Sequence, residues 1–259
     1  MENEKRYQGE NSAFGKKIRV KVRMGMVFSA FVVGFSLMAA AAIGSYVFYR
    51  VRIMDNAVSV TGSARESVTA DTVKWTGQFS RSVAYEDFKD GIRQMKEDEG
   101  KVISFLKEQG LTEKDFTFSA VSFEEPFKYN PGLPKEYFLQ ENVTVNSGEV
   151  QKITAVSKDT RKLTDAGIVF GTQSLEYYYS QLPAKRIALL SQAIGDARQR
   201  VEVIARGSGR EVGFVKAASM GVVQVLPPNS VDVSDYGAYD TSTIEKVVMT
   251  TVKVTFTLK

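Results

Sequence analysis

Between Val248 and Lys259 apolar and polar side chains alternate. Val248, Val252, Val254, Phe256 and Leu258 fall on one parity, and Thr251, Lys253, Thr255 and Thr257 on the other. A period of two belongs to a strand with one buried face. Asp71–Val83 reads the same way, with Val73, Trp75, Phe79 and Val83 against Thr72, Lys74, Thr76, Gln78 and Ser80. Val58, Val60 and Gly62 predict a short opening strand, and Tyr137, Leu139, Val143 and Val145 another. In Phe116–Phe123 the apolar parity switches between 118 and 121, which predicts a bulge near Ala120.

Other segments carry the helical period. Ile187, Leu190, Ile194, Ala197, Val201 and Ile204 are spaced by three and four, with Arg198, Gln199, Arg200 and Glu202 off the stripe. Pro183 suits the first turn of this helix, and Gly207 or Gly209 its end. A second helix is predicted from Tyr85 to Gln109, stopped by Gly110, and a shorter one from Glu149 to Ala166, stopped by Gly167. In order, strand, helix, strand, loop and strand occur twice, over residues 71–146 and 168–258. This predicts an α+β fold of two βαββ-like units, with a largely antiparallel sheet covered by helices. Trp75, Phe79, Ile187, Leu190, Ile194, Val254 and Phe256 are the expected core. Replacing Ile194 or Leu190 by Ala would then cost ~2–5 kcal/mol.

One segment follows neither pattern. Met24–Tyr49 contains 26 residues without a charge. As a helix it would span roughly 39 Å, enough to cross a bilayer with some tilt. Lys16, Lys17, Arg19, Lys21 and Arg23 precede it, whereas only Arg50 and Arg52 follow closely. That asymmetry places the N-terminus in the cytoplasm. A cleaved signal peptide, with small residues at Ala39–Ala42, is the competing reading. A signal core is typically ~7–15 residues, so the longer run favours an uncleaved signal anchor. The expected organisation is a basic cytoplasmic segment at 1–23, a transmembrane signal anchor at 24–49, a linker at 50–57 and an extracytoplasmic α+β domain at 58–259. The protein is thus expected in the inner (cell) membrane as a single-pass protein with a periplasmic domain. Ser36, Ala40 and Gly44 form a small-residue ridge suited to helix packing within the membrane.

Charge separates along the same boundary. Residues 1–54 hold nine Lys/Arg and three Asp/Glu, a net of +6, while the remaining 25 and 27 give −2. The exported part has no basic excess for nucleic acid. The chain contains no cysteine and no histidine. Thiolate nucleophiles, cysteine-based metal centres and His-dependent triads are therefore excluded. No phosphate-binding or dinucleotide fingerprint occurs either. Neither a catalytic residue nor a cofactor, metal or small-molecule substrate is implied.

Several stretches resemble one family. VSVTG at Val58–Gly62, GLTEKDFTFSAVSFEE at Gly110–Glu125 and NVTVNSGEVQKITAVSKDTRKLTDAGI at Asn142–Ile168 are similar to segments of the SIMPL-domain proteins. So is an alanine-rich helix spaced A-x-x-D-A-x-x-K/R, here Ala193, Asp196, Ala197 and Arg200, with Ala205 and Gly209. The sequence departs from the family at Ala70-Asp71, where Pro-Asp is usual, and at Glu136-Tyr137-Phe138, where Gly-Tyr is common. The resemblance covers about Val58–Leu258. It implies a secreted or periplasmic α+β protein, often membrane-anchored, from a family with ring-like or tubular homo-oligomers and no established activity.

Two loops stand out as candidate contacts. Pro227–Thr243 is a long connection carrying Tyr236 and Tyr239, and Tyr129 lies in the equivalent loop of the first half. Exposed aromatics favour oligomer or partner contacts. Asp232, Asp235 and Asp240 depart from a calcium-loop spacing and read as an acidic turn. Tyr177–Tyr179 read as core and rim packing, and the Asn142 sequon falls inside a strand. Three functional classes follow. The leading one is a non-enzymatic, membrane-anchored envelope protein that self-assembles, with a scaffold, stress-protective or channel-like role. The alternatives are a binding module for another envelope protein or cell-wall component, and a hydrolase using carboxylates alone.

Overall fold

The computed structural model describes residues 28–51, 56–230 and 236–259. The expected basic segment 1–23, residues 24–27 of the apolar run, and Asp232 and Asp235 lie outside the described residues. Helix α1 (Phe28–Val51) has a mean hydropathy of 1.9 over its most apolar stretch, and none of that stretch is buried in the protein. The domain that follows runs β1 (Ala57–Thr69), β2 (Thr72–Ala84), α2 (Phe88–Glu108), β3 (Phe116–Phe118), β4 (Ser122–Glu124) and β5 (Glu136–Ser147). It continues through α3 (Val150–Lys158), α4 (Arg161–Asp165), β6 (Val169–Tyr178), α5 (Leu182–Gly207), β7 (Val212–Met220), β8 (Gln224–Leu226) and β9 (Glu245–Leu258).

The fold is α+β with antiparallel sheets and helices over them, as expected. The strands form two sheets. The first has the order β3-β5-β2-β6, with β4 also on β5; the second has β1-β9-β7, with β8 also on β9. The βαββ order recurs, but the pairing crosses between the halves. In the first half β2 lies beside β5. In the second, the place beside β9 is taken by β1, and β6 crosses to the far edge of β2. The second unit therefore contributes to both sheets, whereas the strands of the first all lie in one and β1, ahead of both units, completes the other. The predicted strand 116–123 is interrupted at 119–121, close to the expected bulge, and the predicted helix 149–166 breaks at Asp159-Thr160.

One core lies between the first sheet and its helices. Val73, Trp75, Phe79, Leu139, Val143 and Val145 meet Met95, Val102 and Leu106 of α2, Ile153 of α3 and Leu163 of α4. The second core joins Val60, Val252, Val254 and Phe256 to Ala193, Ala197 and Val201 of α5. Val68, Val225 and Val248 close around Leu189.

The buried stripe of α5 differs from the predicted one. Leu189, Ala193, Ala197, Val201 and Ala205 face the sheet. Of the expected core residues, Ile187 is 74% and Ile194 40% exposed and Leu190 is half-buried; Ile204, also on the predicted stripe, is 45% exposed. The cause is a close crossing. A Cβ added to Gly62 of β1 would lie 2.1 Å from the Ala193 carbonyl oxygen and 2.5 Å from the Ala197 amide nitrogen. At that separation only alanine fits between the backbones, so the larger isoleucines are turned outward. Asp196 locks the register by accepting the Ser63 backbone N–H at 2.8 Å, while Arg200 holds the same carboxylate oxygen at 2.9 Å. The A-x-x-D-A-x-x-R spacing thus encodes both the approach and its alignment.

Gly62→Ala pushes a methyl into backbone that cannot yield. It is expected to cost at least about 2 kcal/mol, whereas Ile187→Ala should stay within about 0.5 kcal/mol. Denaturant midpoints of the full-length chain in mild detergent measure both; equal losses would contradict the close crossing.

Candidate functional site

The long second-half connection is pinned at its C-terminal side. Lys246 of β9 is fully buried, and its ammonium donates to the Asp240 carbonyl at 2.5 Å and to the Asp240 carboxylate at 3.2 Å. The Asp240 carboxylate also accepts the backbone N–H groups of Ser242 and Thr243 and both hydroxyls. Burial opposes ionisation of Asp240, but these donors outweigh it and hold the carboxyl well below its usual range. Burial likewise lowers Lys246, with Asp240 opposing. All the donors Asp240 meets belong to its own turn or to Lys246, so the group is a structural clip. Among the described residues no cluster of three Asp, Glu, His or Cys is arranged to hold a metal.

Tyr239 belongs to this clip. Its hydroxyl accepts the Tyr179 N–H at 2.9 Å, its ring lies 5.9 Å from Tyr178, and the Lys246 ammonium sits 5.9 Å from its centroid. Tyr236 is 98% exposed. Tyr177 is buried with its hydroxyl 3.0 Å from that of Thr154, and Tyr178 donates to Glu176, so this run packs rather than presenting a platform. Asn142 lies within β5 with its amide oxygen buried.

Tyr129 occupies a different setting. It is 93% exposed on the rim of a 680 Å³ groove lined also by Phe123, Glu125, Asn130 and Leu133. An aromatic cluster backs it: Tyr85 stacks on Tyr137 at 5.0 Å, and Phe88 and Phe123 meet the same ring. The hydrogen bond with Tyr85, and burial after it, push the Tyr137 phenol up to about 12. The structure therefore separates the expected contacts: Tyr129 sits against the first sheet, and Tyr239 is built into the β8–β9 connection. In α1 the Ser36 hydroxyl donates to the Val33 carbonyl at 2.8 Å, and the space around Gly44 is open.

Two exposed apolar surfaces accompany these loops. β7 pairs with β9 on one side only, and Phe214, Val215 and Met220 are 66%, 50% and 50% exposed. The opposite edge strand, β1, is shielded by α5 through Asp196–Ser63 and through a 2.6 Å ion pair between Lys185 and Glu66. The second apolar surface is the outward side of α5 itself.

Sequence patterning passed over two buried carboxylates. Asp98 of α2, 2% exposed, receives Arg81 at 2.6 and 3.0 Å, with the Lys101 ammonium at 3.5 Å. Glu141, 3% exposed, lies on the inward face of β5 between Leu139 and Val143, and one of its oxygens has no partner among the described residues. Its position was legible: it breaks the inward series Tyr137, Leu139, Val143, Val145 at an odd number. Burial, reinforced by Glu99 and opposed by Lys96, pushes its carboxyl up to about 7. Both acids are sealed beneath α2, outside the Tyr129 groove, and do not flank a substrate cleft.

Because the folded state holds the Glu141 proton more tightly than the unfolded chain, stability falls as pH rises from about 4.5 to about 7 and stays lower above. Glu141→Gln should remove that component. The variant is expected to gain roughly 1–3 kcal/mol over the natural chain at pH 8 and much less at pH 5. Unfolding midpoints across this range test it; parallel profiles would refute the assignment.

The sequence profile of the SIMPL family, described as a protein of unknown function, matches residues 58–257, from the second residue of β1 to the penultimate residue of β9. No curated protein matches the chain. With the match spanning both sheets and all the helices that cover them, the chain belongs to the SIMPL family.

Proposed function

We propose that this chain is a single-pass envelope protein whose SIMPL domain acts by self-association and not by catalysis. The observation that carries the reading is β7, an open sheet edge on which Phe214, Val215 and Met220 are exposed. Unpaired edges of this kind invite a further chain. If β7 met a different surface of the next copy, the contact would be heterologous, and a closing rotation would give a ring. Anchors on every copy would strengthen assembly by raising effective concentration. The lack of histidine and cysteine, and the sealing of Asp98 and Glu141, support a non-enzymatic role. The groove beside Tyr129 favours one second reading, a module that grips an envelope partner.

Topology follows from the charge asymmetry around α1. Protease added to intact spheroplasts is expected to digest the domain beyond Arg50 and leave an anchored stub; a protected domain would reverse the orientation. Light scattering of the full-length chain in mild detergent should show a homo-oligomer, and Met220→Lys should weaken it at least about tenfold by setting charge into the edge. A monomer at high micromolar concentration would leave the binding module in front.

A further inference from the structure

The end of the domain nearest the anchor has a composition of its own. α5 runs antiparallel to β1: Lys185 meets Glu66, Asp196 meets Ser63, and the last turn of α5 reaches the level where β1 begins. In that last turn Val203 and Ile204 are 63% and 45% exposed. Arg206 and Arg210 follow, both exposed. Gly209, at φ 68°, reverses the chain so that the Arg210 N–H returns to the Ala205 carbonyl at 2.9 Å, setting Arg210 beside Arg206. The two arginines border a 290 Å³ groove with Arg198, Glu202 and Glu211. Glu202 is paired with Arg198 at 3.2 Å, so Arg206 and Arg210 face only Glu211 as an uncommitted acid in the groove.

This corner lies close to where the chain leaves the membrane helix. Glu211 exchanges backbone hydrogen bonds with Lys259 at 3.1 and 2.9 Å, and the neighbouring Leu258 N–H donates to the Asn56 carbonyl at 2.8 Å. Glu211 is therefore about two strand spacings, roughly 10 Å, from Asn56, and Arg210 is the residue before it. Only residues 52–55 separate Asn56 from Val51, the end of α1. Fully extended, that stretch reaches at most about 18 Å. The corner cannot be carried far from the bilayer in which α1 sits.

We propose that the α5–β7 corner is a membrane-docking surface: Val203 and Ile204 enter the lipid interface, and Arg206 and Arg210 bind the phosphates of anionic phospholipids. Guanidinium groups suit phosphate through paired N–H donors, and exposed aliphatics beside them suit the acyl boundary. Tethering keeps the headgroups at high effective concentration, so modest contacts suffice to hold the domain against the surface. The inference rests on α1 being retained as an anchor, and it uses a surface distinct from the β7 residues assigned to self-association.

The absence of native cysteine allows single-site labelling of the full-length chain. A nitroxide at Val203→Cys, with Tyr129→Cys as control, is placed in nanodiscs of phosphatidylcholine alone or mixed with phosphatidylglycerol. The Val203 label is expected to lose several-fold of its exposure to an aqueous nickel chelate, and to gain exposure to oxygen, only when phosphatidylglycerol is present. The Tyr129 label should not change. Arg206→Glu with Arg210→Glu, or high salt, should return the Val203 label to water. A Val203 label open to the chelate in both lipids overturns the proposal. So does shielding independent of lipid charge, which would mark contact with a second copy. Intact mass of the membrane-purified chain reports separately on the anchor: loss of the segment up to Ala42 overturns the anchor and the docking together, whereas an intact chain with an aqueous Val203 overturns docking alone.

Discussion

The near-contact of two backbones, α5 against β1 at Gly62, governs the second half of this domain. Ala193, Ala197 and Val201 can lie over Val60, Val254 and Phe256 only because Gly62 has no side chain. The same approach decides which side of α5 is left outside. A wider crossing would admit Ile187 and Ile194 to the core and leave a polar helix surface. The close one strands those isoleucines in solvent, and a single set of contacts thereby shapes both the core and the exterior available to partners.

The first half is organised differently. Its core is built from large side chains, with Trp75, Phe79 and Leu139 under α2, and here polar groups are admitted at specific points. Asp98 is matched by Arg81, whereas Glu141 is left with an orphan oxygen in an apolar wall. Protonation relieves a carboxyl placed there, which ties the stability of the domain to the acidity of the surroundings.

The strands and helices were legible because their periods were clean. β2, β5 and β9 alternate as sheets with one covered face do, and α2 and α5 end at glycines. What misled was residue size: the pattern for α5 weighted Ile187, Ile194 and Ile204, whereas the contact selects the row of small residues every fourth position. Periodicity identifies a helix better than it ranks two adjacent faces when alanines lie on one and isoleucines on the other. β1 proved longer than its apolar signal, since beyond Gly62 its outward positions are Ser63, Arg65, Ser67 and Thr69. The crossing of β6 to β2 left no local trace, because strand partners are chosen by tertiary packing. Of the candidate contacts, Tyr129 and Tyr236 are as open as their loop positions suggested, while Tyr239 is held by a lysine that reads in sequence as an ordinary strand charge.

The pairing of β1 with β9 joins the first strand of the domain to the last, Ala57 opposite Thr257. A chain delivered across a membrane from its N-terminus would present β1 long before its partner arrives. Closing so long a loop costs only logarithmically more than closing a short one, but it delays the step until the last strand of the domain has been made. In the interval β1 and the open side of β2 are unmatched strands, each awaiting a segment made later. The domain is thus completed only by its last, fourteen-residue strand, and its early strands must be kept from pairing elsewhere until then.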